Sequence, residues 1–160
     1  SMSTYRLDKL FAPNSVALVG ASAREGSLGR RILQNLREGG FTGRIQLVNP
    51  KRSEIDGMPC VARVEDLAGT PDLVVVAAPP EAVPGIVEAS GAKGIAAAIV
   101  VTAGLGHGPG SLAEAVTIAA RRYGVRIVGP NCLGVMAPHA RLNASFAARN
   151  APTGDLALIS

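Results

Sequence analysis

Between Gly20 and Gly29 the chain reads Gly-Ala-Ser-Ala-Arg-Glu-Gly-Ser-Leu-Gly, residue types suited to holding a phosphate with main-chain groups. Glycine tolerates positive φ and lets backbone N–H groups approach an anion, and a helix that starts just afterwards adds partial positive charge. Gly20, Ser22, Arg24, Gly26, Ser27, Leu28 and Gly29 are therefore candidate ligand-binding positions. The spacing departs from Gly-x-Gly-x-x-Gly: Ser22 stands where the middle glycine belongs, and the loop is longer before Gly26. As a bare pattern it also describes an ordinary strand-to-helix turn.

A second candidate is Val48-Asn49-Pro50-Lys51-Arg52. An NAD-binding domain ends its second strand in Asp or Glu to hold the ribose diol. Here the strand ends in a cation pair, which attracts phosphate, so the expected ligand carries a phosphate on or near its ribose, as NADP and coenzyme A do. Alone, the pair reads equally as a solvated basic loop. Beside the glycine loop it gains weight.

The remaining reactive side chains lack partners in sequence. His107 lies in Gly104-Leu105-Gly106-His107-Gly108 and His139 follows Pro138, both contexts of exposed loops. Cys60 and Cys132 stand far apart without Cys-x-x-Cys spacing or a nearby His pair, which excludes zinc ribbons and disulfide scaffolds. Both are expected as free thiols. Cys132 has no histidine partner for covalent catalysis and reads as a small residue in a tight loop. Neither a catalytic group nor a metal-ligand set is assigned.

Local patterns supply the elements that must position these residues. Ser15 to Val19, Ile45 to Val48, Leu73 to Ala78, Ala97 to Val101 and Arg126 to Val128 are short apolar runs, each stopped by Gly, Pro or Asn-Pro. Their near-continuous apolar character predicts strands covered on both faces, hence a parallel sheet. Leu28 to Glu38 places Ile32, Leu33 and Leu36 on one face and is followed by Gly39-Gly40. Pro80 to Ser90 carries Val83, Ile86 and Val87, and Ser111 caps a helix to Tyr123 with Glu114 at the capping-box position. The alternation predicts a doubly wound α/β domain whose ligand binds at the C-terminal edge of the strands.

Composition narrows the function classes. With 160 residues, 48% hydrophobic and 18% charged, and a mean hydropathy of +0.28, the chain suffices for one folded domain and does not read as disordered. The net charge of +4 permits an anionic partner. The aromatics Tyr5, Phe11, Phe41, Tyr123 and Phe146 lie in no basic stripe, so nucleic acid is not expected as a partner. The run around Ile95 to Val101 is far shorter than the ~20 residues of a membrane span, so no membrane association and a cytoplasmic location are expected. Ser1 before Met2 reads as a protease-cleavage scar. Leu156 to Ile159 reads as a strand after a turn, and the expectation is a fragment of a longer protein.

Several blocks together carry a specific resemblance. Residues Leu10-Phe11-Ala12-Pro13-Asn14-Ser15-Val16-Ala17-Leu18-Val19-Gly20-Ala21-Ser22 open the chain's match. Asn35-Leu36, Gly40-Phe41-Thr42-Gly43, Val48-Asn49-Pro50-Lys51 and Gly129-Pro130-Asn131-Cys132-Leu133-Gly134-Val135 continue it. They resemble the CoA-binding domain of NDP-forming acyl-CoA synthetases, a family that includes the succinyl-CoA synthetase α subunit. The resemblance covers essentially the whole chain. It implies a Rossmann-like doubly wound parallel sheet over 1–150 that binds coenzyme A or acyl-CoA, with 151–160 beginning the next domain and the remaining domains of the parent as partners.

By the same resemblance, Ser22 to Gly29 would wrap the CoA diphosphate and Lys51 would meet the phosphate end of the nucleotide. Ala78-Pro79-Pro80 and Val101-Thr102-Ala103 would line the adenine and pantetheine course. Cys132, beside Asn131, would lie near the thiol. Where the succinyl-CoA synthetase pattern has a glutamate after the threonine, this chain has Ala103, so that contact is not carried over. The family's phosphorylated histidine belongs to a second domain, so the isolated chain is expected to bind without catalysing. Two parents fit: an ADP-forming acetate-type CoA ligase, and a protein lysine acetyltransferase with a GNAT domain. An NAD(P)-binding redox or nucleotide-sensing domain is the rival of another class, and Lys51 with the missing acid counts against plain NAD.

Overall fold

The computed structural model describes Lys9, Leu10, residues 12–129 and the strands at 134–137, 142–143 and 157–159. β1 (Ser15–Val19) is central. It pairs in parallel with β2 (Arg44–Val48) on one side and β5 (Leu73–Val76) on the other, and β6 (Ala97–Val100) and β7 (Arg126–Val128) continue outward from β5. Beyond β2 lies β4 (Met58–Val61), also parallel, and its antiparallel partner β3 (Glu54–Ile55) forms the edge. The order is β3-β4-β2-β1-β5-β6-β7. Without the edge strand β3, the six parallel strands run 3-2-1-4-5-6 in order of appearance, the doubly wound arrangement with its reversal beside β1.

Side-chain alternation explains why the apolar runs are continuous. On one face Val16, Leu18, Leu73, Val75, Ala97 and Ile99 pack with Ile32, Leu33 and Leu36 of α1 (Leu28–Glu38). On the other, Ala17, Val19, Val74, Val76, Ala98 and Val100 pack with Val83 and Val87 of α2 (Val83–Ala92) and with Val116, Ala119 and Ala120 of α3 (Leu112–Tyr123). A strand with a helix on each face has no position left for a polar residue. α2 and α3 approach so closely that a Cβ on Gly91 would stand 2.6 Å from Tyr123 Cβ.

The expected elements recur with shifted ends. β5 stops at Val76 rather than Ala78, and β6 at Val100 rather than Val101. A 3-10 turn, Pro80–Ala82, precedes α2, since Pro80 has no N–H to enter a helical ladder. Ser111 caps α3 by accepting the Glu114 N–H at 3.0 Å. The Glu114 carboxylate accepts from Gly110 N–H at 3.0 Å rather than from the cap's own N–H, because Ser111 N–H donates to Gly108 O.

The β3–β4 hairpin is absent from the strand reading above. Its turn, Asp56-Gly57, has φ +54 and +79, the two positive values that a type I′ turn requires and that Asp-Gly favours. Arg30 and Arg37 of α1 pair with Asp56 and fasten this hairpin to the helix. The expected strand near the C-terminus appears as β10 (Ala157–Ile159), antiparallel to β8 (Gly134–Ala137), which also pairs with β9 (Leu142–Asn143). Among the described residues no helix is long and apolar enough to cross a membrane.

Candidate functional site

At the C-terminal edge, β1 gives way to the glycine loop through Gly20. Its φ is +95, its N–H donates to Val48 O at 3.1 Å, and a Cβ there would stand 2.7 Å from the Ala77 carbonyl carbon. Conformation and space both demand glycine. Gly29 is required by space alone: a Cβ would fall 1.9 Å from Gly20 O, because the first turn of α1 rests on the end of β1. Gly26 is the opposite case, with φ +79 and open space where a Cβ would go.

The serines of the loop hold its shape. Ser22 Oγ accepts the Arg24 N–H at 3.0 Å. Ser27 is buried, donates its hydroxyl proton to Arg24 O at 2.7 Å and accepts the Arg30 N–H at 3.2 Å as the cap of α1. Both hydroxyls therefore serve the backbone, as short polar side chains do at helix starts. Arg24 is exposed at the loop tip, and Leu28 is half-buried against the α1-side core.

Asn49 follows β2 and joins two loops. Its Nδ2 donates to Ala21 O at 2.8 Å and its Oδ1 accepts the Lys51 N–H at 2.7 Å. Lys51 and Arg52 are exposed beyond it.

A cavity of about 340 Å³ opens at the ends of β1, β2, β4 and β5. Val19, Gly20, Val48 and Pro50 line it from the first two strands, and Ala78 and Pro79 from the segment after β5. Gly85, Ile86 and Ala89 of α2 close another wall. Its charged lining is Arg63 and Glu65, which lie after β4 together with Ala62 and Val64. This volume lies within the range of small-molecule sites, and its mostly apolar wall suits a flat heteroaromatic ring.

The structure thus brings Gly20, Pro50, Ala78 and Pro79 together around one cavity, with Lys51 next to Pro50. Pro80 opens the 3-10 turn and takes no part in the lining. Val101 and Thr102 are buried, and Thr102 Oγ1 donates to Ala78 O at 2.7 Å, tying the segment after β6 to the segment after β5. Ala103 is exposed. Asn131, Cys132 and His139 lie outside the described residues. Arg63 and Glu65 were missed because β4 was missed, and Asp56-Gly57, an Asp-Gly hairpin signal, would have brought the chain back beside β2; the helix of the α2 wall was expected, but not its part in the site.

Replacing Thr102 by Val is expected to leave the buried Ala78 carbonyl without its donor and to destabilise the fold by about 1–2 kcal/mol, read by urea denaturation. An unchanged midpoint would show that the tie contributes nothing.

Reactive groups elsewhere fit structural duties. Burial pushes the Cys60 thiol up, Arg52 lowers it and Glu54 raises it, with burial prevailing, so the thiolate that a nucleophile needs is disfavoured. His107 is exposed in a loop where Gly104, Gly106, Gly108 and Gly110 all have positive φ. Among the described residues no group of three or more His, Cys, Asp or Glu could hold a metal ion.

A family model described as a CoA binding domain matches residues 14–138. The chain is 41% identical over 157 residues to the ADP-forming acetate–CoA ligase of Methanocaldococcus jannaschii, covering 98% of this chain and 22% of that protein. It is 37% identical over 161 residues to the α subunit of ADP-forming acetate–CoA ligase I of Pyrococcus furiosus, covering 96% of this chain and 35% of that subunit. Among solved structures, the Ca. Korarchaeum cryptofilum dinucleotide forming acetyl-coenzyme A synthetase 1 in complex with phosphate and ADP superimposes with a TM-score of 0.86 at 35% identity. That match covers 92% of this chain and 32% of the other. The chain therefore spans between 22% and 35% of the length of these relatives.

Proposed function

Because this chain belongs to the CoA-binding domain family, in the form found in ADP-forming acyl-CoA synthetases, we propose that its cavity and glycine loop bind coenzyme A for acyl transfer by a larger ligase. The observation that carries this is the conjunction of a cavity at the strand-order reversal, a loop at a helix N-terminus, and cations at the ends of β2 and β4. The adenine ring fits the mostly apolar cavity between Val48, Pro50, Ala78 and Ile86. The diphosphate fits the turn from Gly20 to Gly29, and Lys51 suits a phosphate on the ribose. Val101 to Ala103 and Asn131 with Cys132 are assigned to the pantetheine course by family resemblance. Bound CoA would supply a thiol nucleophile; the protein's part is to hold its nucleotide and aim its arm.

Two rival readings have less support. A redox domain would use an acid where Asn49 stands, and an acetyltransferase parent has no counterpart among the relatives named above.

Titration calorimetry on the 160-residue chain should give a saturable CoA isotherm that adenosine 3′,5′-bisphosphate competes away, with NADPH much weaker. NADPH binding more tightly than CoA would sink the reading. Incubation with acetate, ATP, Mg²⁺ and CoA, or with acetyl-CoA and a lysine-bearing protein, should give no product above blank. Acyl-phosphate chemistry needs an activated nucleophile, and His107 is exposed in a loop while Cys60, though near Arg52, has its thiol pushed up by burial. Product that His107→Ala abolishes would place an active site in this chain.

A further inference from the structure

We infer that Asn49 is a positioning residue that straps the glycine loop to the cation loop and so sets the spacing between two phosphate subsites. The inference rests on the CoA-binding reading and assigns Asn49 a role toward the protein instead of toward the ligand.

Three hydrogen bonds converge on this residue. Its Nδ2 donates to Ala21 O at 2.8 Å, its Oδ1 accepts the Lys51 N–H at 2.7 Å, and its own N–H donates to Val61 O at 2.9 Å. One half-buried side chain thereby connects the loops after β1 and β2, and its backbone joins them to β4. The task needs an amide, which alone among short side chains presents a donor and an acceptor in one plane. A carboxylate, the group dinucleotide folds place at the end of this strand, could accept from Lys51 but would face the Ala21 carbonyl without a proton to give.

The consequence concerns ligands that touch both loops. CoA presents a diphosphate to the glycine loop and a 3′-phosphate to Lys51 at once, so the second contact benefits only if the loops stand at the right separation. Dephospho-CoA presents phosphate to the glycine loop alone. Adenosine 3′-monophosphate presents phosphate to the cation loop alone. Freeing the two loops from one another should therefore penalise CoA and spare the other two.

The test uses the whole chain with Asn49→Leu, which keeps size and loses both side-chain bonds, and Asn49→Ala as a smaller replacement should the leucine variant fail to fold. Calorimetry with the three ligands is expected to show CoA weakened about tenfold, and dephospho-CoA and adenosine 3′-monophosphate changed by no more than about twofold. Equal losses for all three, or an unchanged CoA affinity, would overturn the strap while leaving CoA binding intact. A parent chain that binds CoA no better than adenosine would overturn the binding reading and the strap with it.

Discussion

A Gly29→Ala chain is expected to lose both stability and CoA binding, while Gly26→Ala keeps most of each. At residue 29 the added methyl would lie 1.9 Å from Gly20 O, a backbone atom at the end of the central strand. Gly20 has little room to yield, because its N–H is tied to Val48 O and the Ala77 carbonyl fills the space beside it that a Cβ would take. Relief must come from lifting the first turn of α1 away from the sheet. Overpacking a well-packed core costs about 1–3 kcal/mol, and a clash with main chain belongs at the upper end of that range. The lifted turn carries the N–H groups proposed for the diphosphate, so affinity should fall with stability. At residue 26 the methyl meets open space and only the left-handed backbone resists it, at about 1–2 kcal/mol. Urea denaturation and calorimetry with CoA on the two variants check the ranking. A Gly29→Ala chain that matches the parent in both would remove the loop from the site.

Lys51→Ala is expected to weaken CoA by about tenfold or more and dephospho-CoA by much less, because only CoA carries the 3′-phosphate and a charge-assisted hydrogen bond is lost with the ammonium. The Lys51 side chain is exposed while its main chain is held by Asn49, so the substitution removes charge without disturbing the loop. The difference between the two ligands should shrink as salt rises, as expected for a solvent-facing ion pair. Arg63 stands after β4, which is in register with β2 through Val48 and Val61, and lines the cavity beside Pro50. A Lys51→Ala/Arg63→Ala double variant is therefore expected to erase the preference for CoA that the single variant leaves. Equal losses for both ligands in the Lys51 variant would count against a 3′-phosphate contact and leave a diphosphate contact open to test by the Gly29 pair.

Much of the architecture was readable from local pattern. The central strands β1, β5 and β6 are covered on both faces, so their residues are apolar without alternation, and runs such as Ser15 to Val19 and Leu73 to Val76 announce that condition directly. The C-terminal end of α1 was equally clear, since Gly39-Gly40 follows its last residue, whereas the capping by Ser27, read as a ligand position, emerged only from the structure. β3 and β4 were not read because they lie at the sheet edge, are short and half-exposed, and carry no continuous apolar run. Their turn Asp56-Gly57 was the readable sign.

By itself, then, the sequence determined the fold class, the order of five of the six parallel strands and of the helices along the chain, and the edge where Gly20 to Gly29 and Lys51 meet, because burial and turn chemistry are properties of neighbouring residues. The direction of individual polar groups came from tertiary structure alone. Thr102 turns its hydroxyl inward to Ala78 O, Asn49 gives its amide to Ala21 and Lys51, and Arg63 reaches the cavity. Each depends on the register between strands far apart in sequence, such as Val48 with Val61 or Val76 with Val100, and that register is fixed by packing across the sheet, which no local run of residues encodes.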